Sequence, residues 1–525
     1  MPYLLPQLVD DSAERHGDRE AIRFSGEGLT WAQFARRCNA LAHCLVAQGV
    51  RRRDRVGIYL NKSLDTAIAI YGIMKTGAAY VPLDPSAPVG RLATVAIDCG
   101  LSHVVTQPGR RSRLGKMAAD CGLQCAVGLD PDPEFPLRCV GWDEVDEHPG
   151  DAAPDVGTME QDLAYVMYTS GSTGQPKGIM HTHHSGLSYA YWAAQVYEVG
   201  PTSRLTNHAP LHFDLATFDY FAGALGGAAT IIVPEEVMRL PASYSQLLED
   251  ERITTFFTVP FTLVQLLLRG VLDQRDLGAL RWIIFGGEPF PVKHLRAIMQ
   301  ALPATRFSNM YGPAEVNGCT YYHVPPLEEG REEPISIGPI CPNMEALVVD
   351  GDDQLVPDGE PGELLVRTPT MMRGYWNQPG LNAKAFYRRT AGSDQFEEVF
   401  YRTGDLVIRR ADGCFDFLGR KDRQVKTRGY RVELDEVEAA LASHPEVAEA
   451  AAFAVGDGEG SHRIEGAAIG LEGREVEASD LIRHASDRLP WYAVPARVEV
   501  MQALPRTTSG KIDRRALREA AEAGD

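Results

Sequence analysis

The polar loop at residues 168–178 has the composition of a phosphate-binding segment. Its sequence is YTSGSTGQPKG, in which seven of eleven residues are Thr, Ser or Gly and one lysine, Lys177, stands between Pro176 and Gly178. Hydroxyl groups and glycine N–H groups can bind phosphate oxygens, and an ammonium group can neutralise their charge. The preceding LAYVMY predicts a buried strand, and α/β proteins bind ligands at the carboxyl ends of such strands.

This loop differs from a Walker loop. The Walker motif is G-x-x-x-x-G-K-[ST]. Counting from Gly171 places Pro176 at the second glycine and Gly178 at the Ser/Thr that binds magnesium. The loop therefore binds phosphate in another way, or it is a flexible surface turn.

Short apolar segments alternate with longer amphipathic segments through most of the chain, which favours an α/β fold with mixed and largely parallel sheets. Residues 30–49 and 244–253 have helical periodicity. The predicted strands are RVGIYL, HVVT, LAYVMYT, ATIIVP, TTFFTVP and RWIIFGG.

The pattern changes after about residue 335. Strands separated by Asp-Gly and Pro-Gly turns predict a β-rich, more antiparallel subdomain over about 335–421. Beyond a charged linker, residues 435–455 and 477–490 are predicted to be helical, with short strands between them. We therefore expect a large N-terminal domain over 1–421 and a small mobile α+β domain over 422–525.

Composition excludes several classes of protein. The net charge of -19 argues against a nucleic-acid-binding protein. No apolar run is long enough to span a membrane, and the N-terminus lacks a signal pattern. We expect a cytoplasmic protein with no nucleic-acid or membrane partner.

Six motifs in a fixed order carry a family resemblance. Five of them follow the polar loop: NMYGPAE, GELLVRTPTMMRGYW, YRTGDL, GRKDRQVKTRGYRVEL and LPRTTSGKIDRRAL. Together they resemble the adenylate-forming superfamily, and most closely a stand-alone adenylation domain of the nonribosomal peptide synthetase type. The resemblance covers nearly the whole chain. It implies that a carboxylic acid attacks the α-phosphate of ATP, and that a thiol then captures the acyl group from the adenylate.

The resemblance assigns roles to residues in the nucleotide site. Tyr311 would stack on adenine, Asp405 would bind the ribose hydroxyls, Arg420 would lie near ribose and phosphate, and Glu315 would ligate Mg2+. The further nucleotide-binding residues implied are Thr169, Ser170, Gly171, Ser172, Thr173, Gly174, Lys177, Gly287, Glu288, Pro289, Asn309 and Gly312.

The resemblance also implies catalysis by alternation of the small domain. Lys511 would contact both the carboxylate and the phosphate during adenylation, which suits a flexible ammonium group between two anions. Asp422 occupies the hinge position. After rotation, Lys426 and Gly429 would approach the thiol.

One carboxylate indicates that the acid carries an amine. Asp214, in APLHFDLATFDYF, matches the residue that anchors the ammonium group in amino-acid-activating members, and a buried carboxylate requires a cation. A helix N-cap is the alternative role for Asp214. Asp219 is a second candidate for the amine, although an exposed helix carboxylate is the favoured interpretation there.

The remaining predicted pocket residues carry no charge, so a small to medium neutral α- or β-amino acid fits best. Gly286 and Gly318 would leave room for the substrate. The further pocket residues implied by the resemblance are Phe213, Phe218, Thr262, Ile284, Met310 and Cys319.

The thiol acceptor is predicted from the end of the sequence. No GGHS-like phosphopantetheine attachment site follows Lys511. We therefore expect a peptidyl carrier protein acting in trans, which supplies the phosphopantetheine. The alternative function is an acyl-CoA or aryl-CoA ligase that uses free CoA.

Overall fold

A computed structural model describes residues 1–171, 176–390, 396–456, 461–471, 473–474, 476–507 and 512–523. The large N-terminal part contains three sheets, and the C-terminal part contains a hairpin and a small sheet. No helix among these residues is both long and apolar enough to cross a membrane. The predicted cytoplasmic location stays a prediction.

The first two sheets are parallel in the middle and antiparallel at their edges. One contains, in order across the sheet, Gly374–Tyr375, Lys177–Thr182, Leu163–Thr169, Ala79–Pro82, Arg55–Tyr59, His103–Thr106, Cys125–Val127 and Arg138–Val140. The other contains Thr320–His323, Arg306–Tyr311, Trp282–Gly286, Thr255–Thr258, Arg204–Asn207, Ala229–Ile232, Glu20–Phe24 and Glu27–Thr30.

These two sheets share one hydrophobic core. Ile58 and Tyr165 from the first sheet and Ile22 from the second pack in it, together with Ile68 and Tyr71 from a helix between them. The strands are buried almost without alternation, as expected for sheets covered on both faces. The carboxyl ends of both sets of parallel strands therefore have fixed positions.

The third sheet is antiparallel. It contains Glu345–Val349, Pro361–Arg367, Glu397–Arg409 and Phe386–Thr390, with Phe415–Arg420 paired to the long strand. A two-stranded hairpin of Gln424–Thr427 and Tyr430–Glu433 follows. The predicted fold class is confirmed, whereas the domain boundary at 421/422 stays a prediction.

The small C-terminal sheet consists of Val447–Gly456, His462–Gly470 and Arg497–Val500. The predicted helix over 435–455 is wrong in its second half, because the helix ends at Ala442 and a ten-residue strand begins at Val447. Pro445 cannot continue a helix. Alanine favours helices, but apolar clusters cover both faces of this sheet, so burial outweighs propensity here.

The α-helices are Gln7–His16, Trp31–Ala47, Leu64–Lys75, Val89–Cys99, Arg111–Ala118, Trp142–Asp146, His183–Val196, Leu215–Thr217, Gly223–Gly226, Glu235–Met238, Pro241–Asp250, Pro260–Arg269, Val292–Ala301, Pro379–Ala385, Leu434–Ala442, Ala478–Ser486 and Arg514–Ala523. A π-helical turn spans Phe218–Ala222, and single 3₁₀ turns span Pro108–Arg110, Leu272–Gln274 and Trp491–Ala493.

Candidate active site

Most of the predicted site residues meet where strands of the two large sheets end. Thr169 ends the strand Leu163–Thr169, Gly286 ends Trp282–Gly286, and Tyr311 ends Arg306–Tyr311. Asp214 lies in the loop that follows Arg204–Asn207. Parallel strands thus deliver these side chains to one edge of the fold, as the sequence predicts.

Tyr311, Asp405 and Arg420 form one hydrogen-bonded cluster. The hydroxyl of Tyr311 donates to Asp405 Oδ2, and Arg420 Nη1 donates to Asp405 Oδ1 at 2.8 Å. Arg420 Nε also donates to Asp422 Oδ1 at 2.8 Å. Arg420 therefore joins the predicted ribose carboxylate to the predicted hinge residue.

Glu315 is fully buried among cations and a phenol. Its Oε1 accepts a hydrogen bond from Tyr375 at 2.8 Å, and its Oε2 accepts one from Arg431 Nη1 at 2.9 Å. Lys177 Nζ lies 3.8 Å from Oε1. Burial alone would raise the pKa of Glu315, but Arg431 and Lys177 hold that pKa well below its ordinary value. The carboxylate is therefore ionised at any physiological pH.

The donor set at Glu315 suits Mg2+ better than a metal held by protein alone. Among the described residues, no three His, Cys, Asp or Glu side chains are grouped so that they could hold a metal ion. Mg2+ is usually bound by one or two carboxylates together with substrate phosphates and waters. Glu315 beside the phosphate-loop lysine matches that pattern.

The described part of the phosphate loop faces this cluster. The hydroxyl of Thr169 is buried without a hydrogen-bond partner among the described residues. Ser170 Oγ donates to the carbonyl oxygen of Arg431 at 3.3 Å. Gly171 is buried, whereas Ser172, Thr173 and Gly174 lie outside the described residues.

The hairpin of residues 424–433 inserts into the site from the C-terminal part. The N–H of Gly429 donates to Glu288 Oε1, and the ring of Tyr430 lies 5.0 Å from that of Phe213. Burial lowers the pKa of the Lys426 ammonium group, and the charge of Asp405 opposes that shift. The resemblance assigns Lys426 and Gly429 to the thiol-transfer pose, and that assignment stays a prediction.

Gly429 of the hairpin packs closely against Val259 of the large N-terminal part. Its φ is +86°, and a Cβ placed there would lie 2.9 Å from Val259 Cγ1. Glycine suits this position for two reasons. It adopts the left-handed backbone conformation without strain, and it has no Cβ that would collide with Val259 at the end of a strand.

Lys511 lies outside the described residues. On either side of it, Arg506 pairs with Glu449 and Arg514 pairs with Glu438. Those pairs attach both flanks of the lysine motif to the small domain.

Asp214 precedes the short helix Leu215–Thr217 but does not cap it. Asp214 holds the N-cap position, but its side chain makes no hydrogen bond to the helix N–H groups. The capping role considered as the alternative for Asp214 is therefore wrong. Burial raises the pKa of Asp214 to about 6, and the charge of Lys426 opposes that rise. A desolvated carboxylate that the helix does not use is available for a ligand cation.

Asp219 is only 2% exposed, so the interpretation as an exposed helix carboxylate is wrong. A π-helical turn over Phe218–Ala222 rotates it inward. Its Oδ2 accepts a hydrogen bond from Asn207 Nδ2 at 3.1 Å, and burial raises its pKa well above the ordinary value. Asp219 is therefore part of a buried polar group behind the site.

The residues predicted to line the apolar pocket do not all pack in one hydrophobic cluster. Phe218, Ile284 and Met310 pack in one cluster, together with Trp192. Cys319 belongs to a different cluster with Tyr311.

The two glycines that are predicted to leave room for the substrate lie close to Met310. A Cβ on Gly318 would lie 2.9 Å from Met310 Sδ, and one on Gly286 would lie 2.2 Å from the carbonyl oxygen of Met310. These glycines allow close packing of the protein on itself, and their assignment to the substrate pocket stays a prediction.

The other predicted nucleotide residues surround the same strand ends. Asn309 Nδ2 donates to the carbonyl oxygen of Ser336 at 3.0 Å, so its amide has a structural partner. Gly287 has a φ of +94°, and Pro289 nearby is exposed. A Cβ on Gly312 would lie 1.6 Å from the carbonyl oxygen of Asn317, which excludes every larger residue.

Sequence reasoning missed Arg431 and Tyr375, which hold Glu315. Both lie inside the quoted motifs, but a motif does not show which of its side chains point inward. Arg431 follows Gly429 by two residues, and residues two apart in a strand lie on the same side. This spacing could have indicated that Arg431 points toward the large domain, as Gly429 does.

A cavity of about 820 Å³ opens beside the hairpin. Phe213, Leu215, Val259 and Gly429 line its inner part, and exposed Trp491 lies at its mouth. Thr262 lines this cavity as well, where its hydroxyl lies 3.4 Å from His208 Nε2, and so it is separate from the apolar pocket cluster.

Two family models match most of the chain. The AMP-binding enzyme family matches residues 9–376, and the C-terminal domain of AMP-binding enzymes matches residues 436–511. The chain is 34% identical over 515 residues to an L-proline–[L-prolyl-carrier protein] ligase of Pseudomonas fluorescens, covering 98% of each protein.

A second relative is much longer than this chain. A linear gramicidin synthase polypeptide of Brevibacillus parabrevis is 37% identical over 511 residues, which are 97% of this chain and 9% of that protein. Among solved structures, the amide bond synthetase McbA from Marinactinospora thermotolerans matches with a TM-score of 0.87 and 25% identity. That match covers 98% of this chain and 99% of McbA.

Proposed function

This chain belongs to the family of AMP-binding enzymes, and on that premise we propose that it is an amino-acid–carrier-protein ligase. It activates a small neutral amino acid with ATP to the aminoacyl-adenylate and pyrophosphate. It then transfers the aminoacyl group to the phosphopantetheine thiol of a separate carrier protein. The Pseudomonas ligase, matched over its whole length, supports both halves of this proposal.

Asp214 is the observation that carries the amino-acid assignment. A carboxylate whose pKa is raised to about 6 by burial, and which makes no capping hydrogen bond to the helix that follows it, is stabilised by a cation bound beside it. The ammonium group of an amino acid supplies that cation. Fatty and aryl acids have no group that would do so.

In the first step the protein holds two anions together. Thr169, Ser170 and Lys177 bind the outer phosphates, and Asp405 and Arg420 bind the ribose, while Tyr311 lies against the adenine. Mg2+ at Glu315 would neutralise phosphate charge during the transfer. Lys511 would stabilise the negative charge shared by the attacking carboxylate and the α-phosphate.

In the second step the phosphopantetheine arm enters the 820 Å³ cavity and reaches the acyl carbon beside Gly429. Arg239 and Arg428 are exposed at the cavity's edge, and they would attract an acidic carrier protein in spite of the chain's net charge of -19. Asp422, at the hinge, would allow the small domain to alternate between the two steps.

The pocket cluster favours a small side chain. Phe218, Ile284 and Met310 are apolar and closely packed, and such a wall suits a small neutral side chain. Proline therefore fits as the first candidate, which agrees with the name of the Pseudomonas ligase.

The test is exchange of labelled pyrophosphate into ATP with a panel of α-amino, β-amino, fatty and aryl acids. We expect signal with one or a few small neutral amino acids, proline first. Signal confined to acids without an amine, followed by transfer to free CoA, would instead establish an acyl-CoA or aryl-CoA ligase.

A further inference from the structure

Two buried polar atoms in the cavity wall face each other without bonding. His212 Nε2 and Asp84 Oδ2 are 3.8 Å apart, and their side chains are 11% and 13% exposed. Neither atom has a hydrogen-bond partner among the described residues. Buried polar atoms are nearly always hydrogen-bonded, so this pair needs an explanation.

The position of the pair points to the arm that enters the cavity. Both residues line the cavity, and His212 is two residues before Asp214. The ring of His212 lies 4.8 Å from that of Phe213, which in turn contacts Tyr430 of the inserted hairpin. His212 therefore lies in the wall of the cavity that the proposed function assigns to the thiol.

Burial keeps the ring of His212 neutral at neutral pH. Burial lowers the pKa of His212, and the charges of Arg91 and Lys62 lower it further, whereas Asp84 and Glu235 oppose the shift. Asp84 stays ionised, and Ser86 holds its other oxygen, Oδ1, through its N–H at 2.8 Å and its hydroxyl at 2.7 Å. Oδ2 is thus left to accept a hydrogen bond from the imidazole.

We propose that His212 is the general base of thiol transfer and that Asp84 positions its ring. The inference rests on the proposed function. With Nε2–H directed to Asp84, Nδ1 takes the proton as the S–H bond breaks. The sulfur electron pair then forms the C–S bond to the acyl carbon, and the C–O bond to the phosphate breaks so that AMP leaves with that pair.

A base of this kind would increase the reactivity of the thiol. A thiol with an ordinary pKa near about 8.5 is mostly protonated at neutral pH, and only the thiolate is a good nucleophile. The gap of 3.8 Å is typical of a catalytic contact that tightens only when the substrate is bound.

The two half-reactions separate this inference from the proposed function. In His212→Gln we expect pyrophosphate exchange to stay within about threefold of wild type, and single-turnover transfer to pantetheine to fall by about 10²- to 10³-fold. The loss should shrink with thiols of lower pKa and as the pH rises. Asp84→Asn should lower transfer by about tenfold and change its pH profile.

His208→Gln is the matched control. His208 lines the same cavity, but its Nδ1 lies 3.0 Å from the Tyr244 hydroxyl and its Nε2 lies 3.4 Å from that of Thr262. Its replacement should produce no dependence on thiol pKa.

A loss in His212→Gln that is the same for every thiol would reduce the residue to a steric role and overturn the proposal, as would unchanged transfer. Absence of pyrophosphate exchange in the wild-type enzyme would refute the proposed function instead.

Discussion

Asp214 is the side chain that we propose to bind the amine of the substrate. Asp214→Ala should lower kcat/KM for the amino acid by about 10²- to 10³-fold, because the substrate ammonium loses its carboxylate partner. The measurement is pyrophosphate exchange over a range of amino-acid concentrations. Asp219→Asn is the comparison: if it abolishes exchange while Asp214→Ala does not, the amine anchor is Asp219.

The same carboxylate predicts a pH dependence. The pKa of Asp214 is raised from 3.8 to about 6, so the group is ionised above that pH and neutral below it. A neutral carboxyl group cannot pair with an ammonium group. At low substrate concentration, activation should therefore fall as the pH drops through about 6. A flat profile of kcat/KM between about pH 5 and 8 would contradict this assignment.

Lys511 is predicted to act in adenylation alone. Lys511→Ala should lower adenylate formation by orders of magnitude and leave ATP binding largely intact, since the lysine supports the transition state more than the ground state. Pre-steady-state adenylation and equilibrium nucleotide binding measure the two effects separately. Near-normal adenylation in the variant would remove the lysine from the mechanism.

At the scale of elements, the sequence predicts strands best where a continuous apolar run is completely buried. The strands of the two large sheets, such as Leu163–Thr169, lie where their apolar runs predict. The strand Val447–Gly456 could not be predicted, since its alanines favour a helix and only burial on both faces makes it a strand. The inward turn of Asp219 depends on a π-helical turn that has no local signature.

The inserted hairpin gives a prediction of its own. Gly429→Ala should slow thiol transfer by about tenfold or more and spare pyrophosphate exchange, because the new methyl group would collide with Val259. Gly413→Ala is the control: Gly413 has a similar φ of +82°, but a Cβ there meets nothing within 4 Å.

Equal effects of the two substitutions on thiol transfer would show that backbone strain, and not contact with the large domain, explains the result at Gly429. The comparison therefore separates the docking of the hairpin from its folding.

At the scale of the whole molecule, buried ion pairs hold the C-terminal part in its present position. Arg431 pairs with Glu315 at 2.9 Å, and Arg91 pairs with Glu436 across the same interface. Arg431 takes Oε2 of the carboxylate that we assign to Mg2+. Breaking a buried pair costs about 3–5 kcal/mol unless another cation replaces the lost partner. On our proposal, Mg2+ would compete with Arg431 for Glu315.

This competition predicts that ligands release the hairpin. Adding Mg2+, the amino acid and an ATP analogue that cannot be cleaved at the α-phosphate should speed amide hydrogen exchange over residues 424–433. The reason is that Mg2+ held at Glu315 would compete with Arg431, and that adenylation would need the small domain to turn Lys511 into the site. Arg431→Gln should show faster exchange there without any ligand. Peptides from Val447–Gly456, inside the small domain, should stay equally protected in every state. If the hairpin stays protected with all three ligands bound, the small domain does not alternate, and both half-reactions must then take place in the single arrangement seen here.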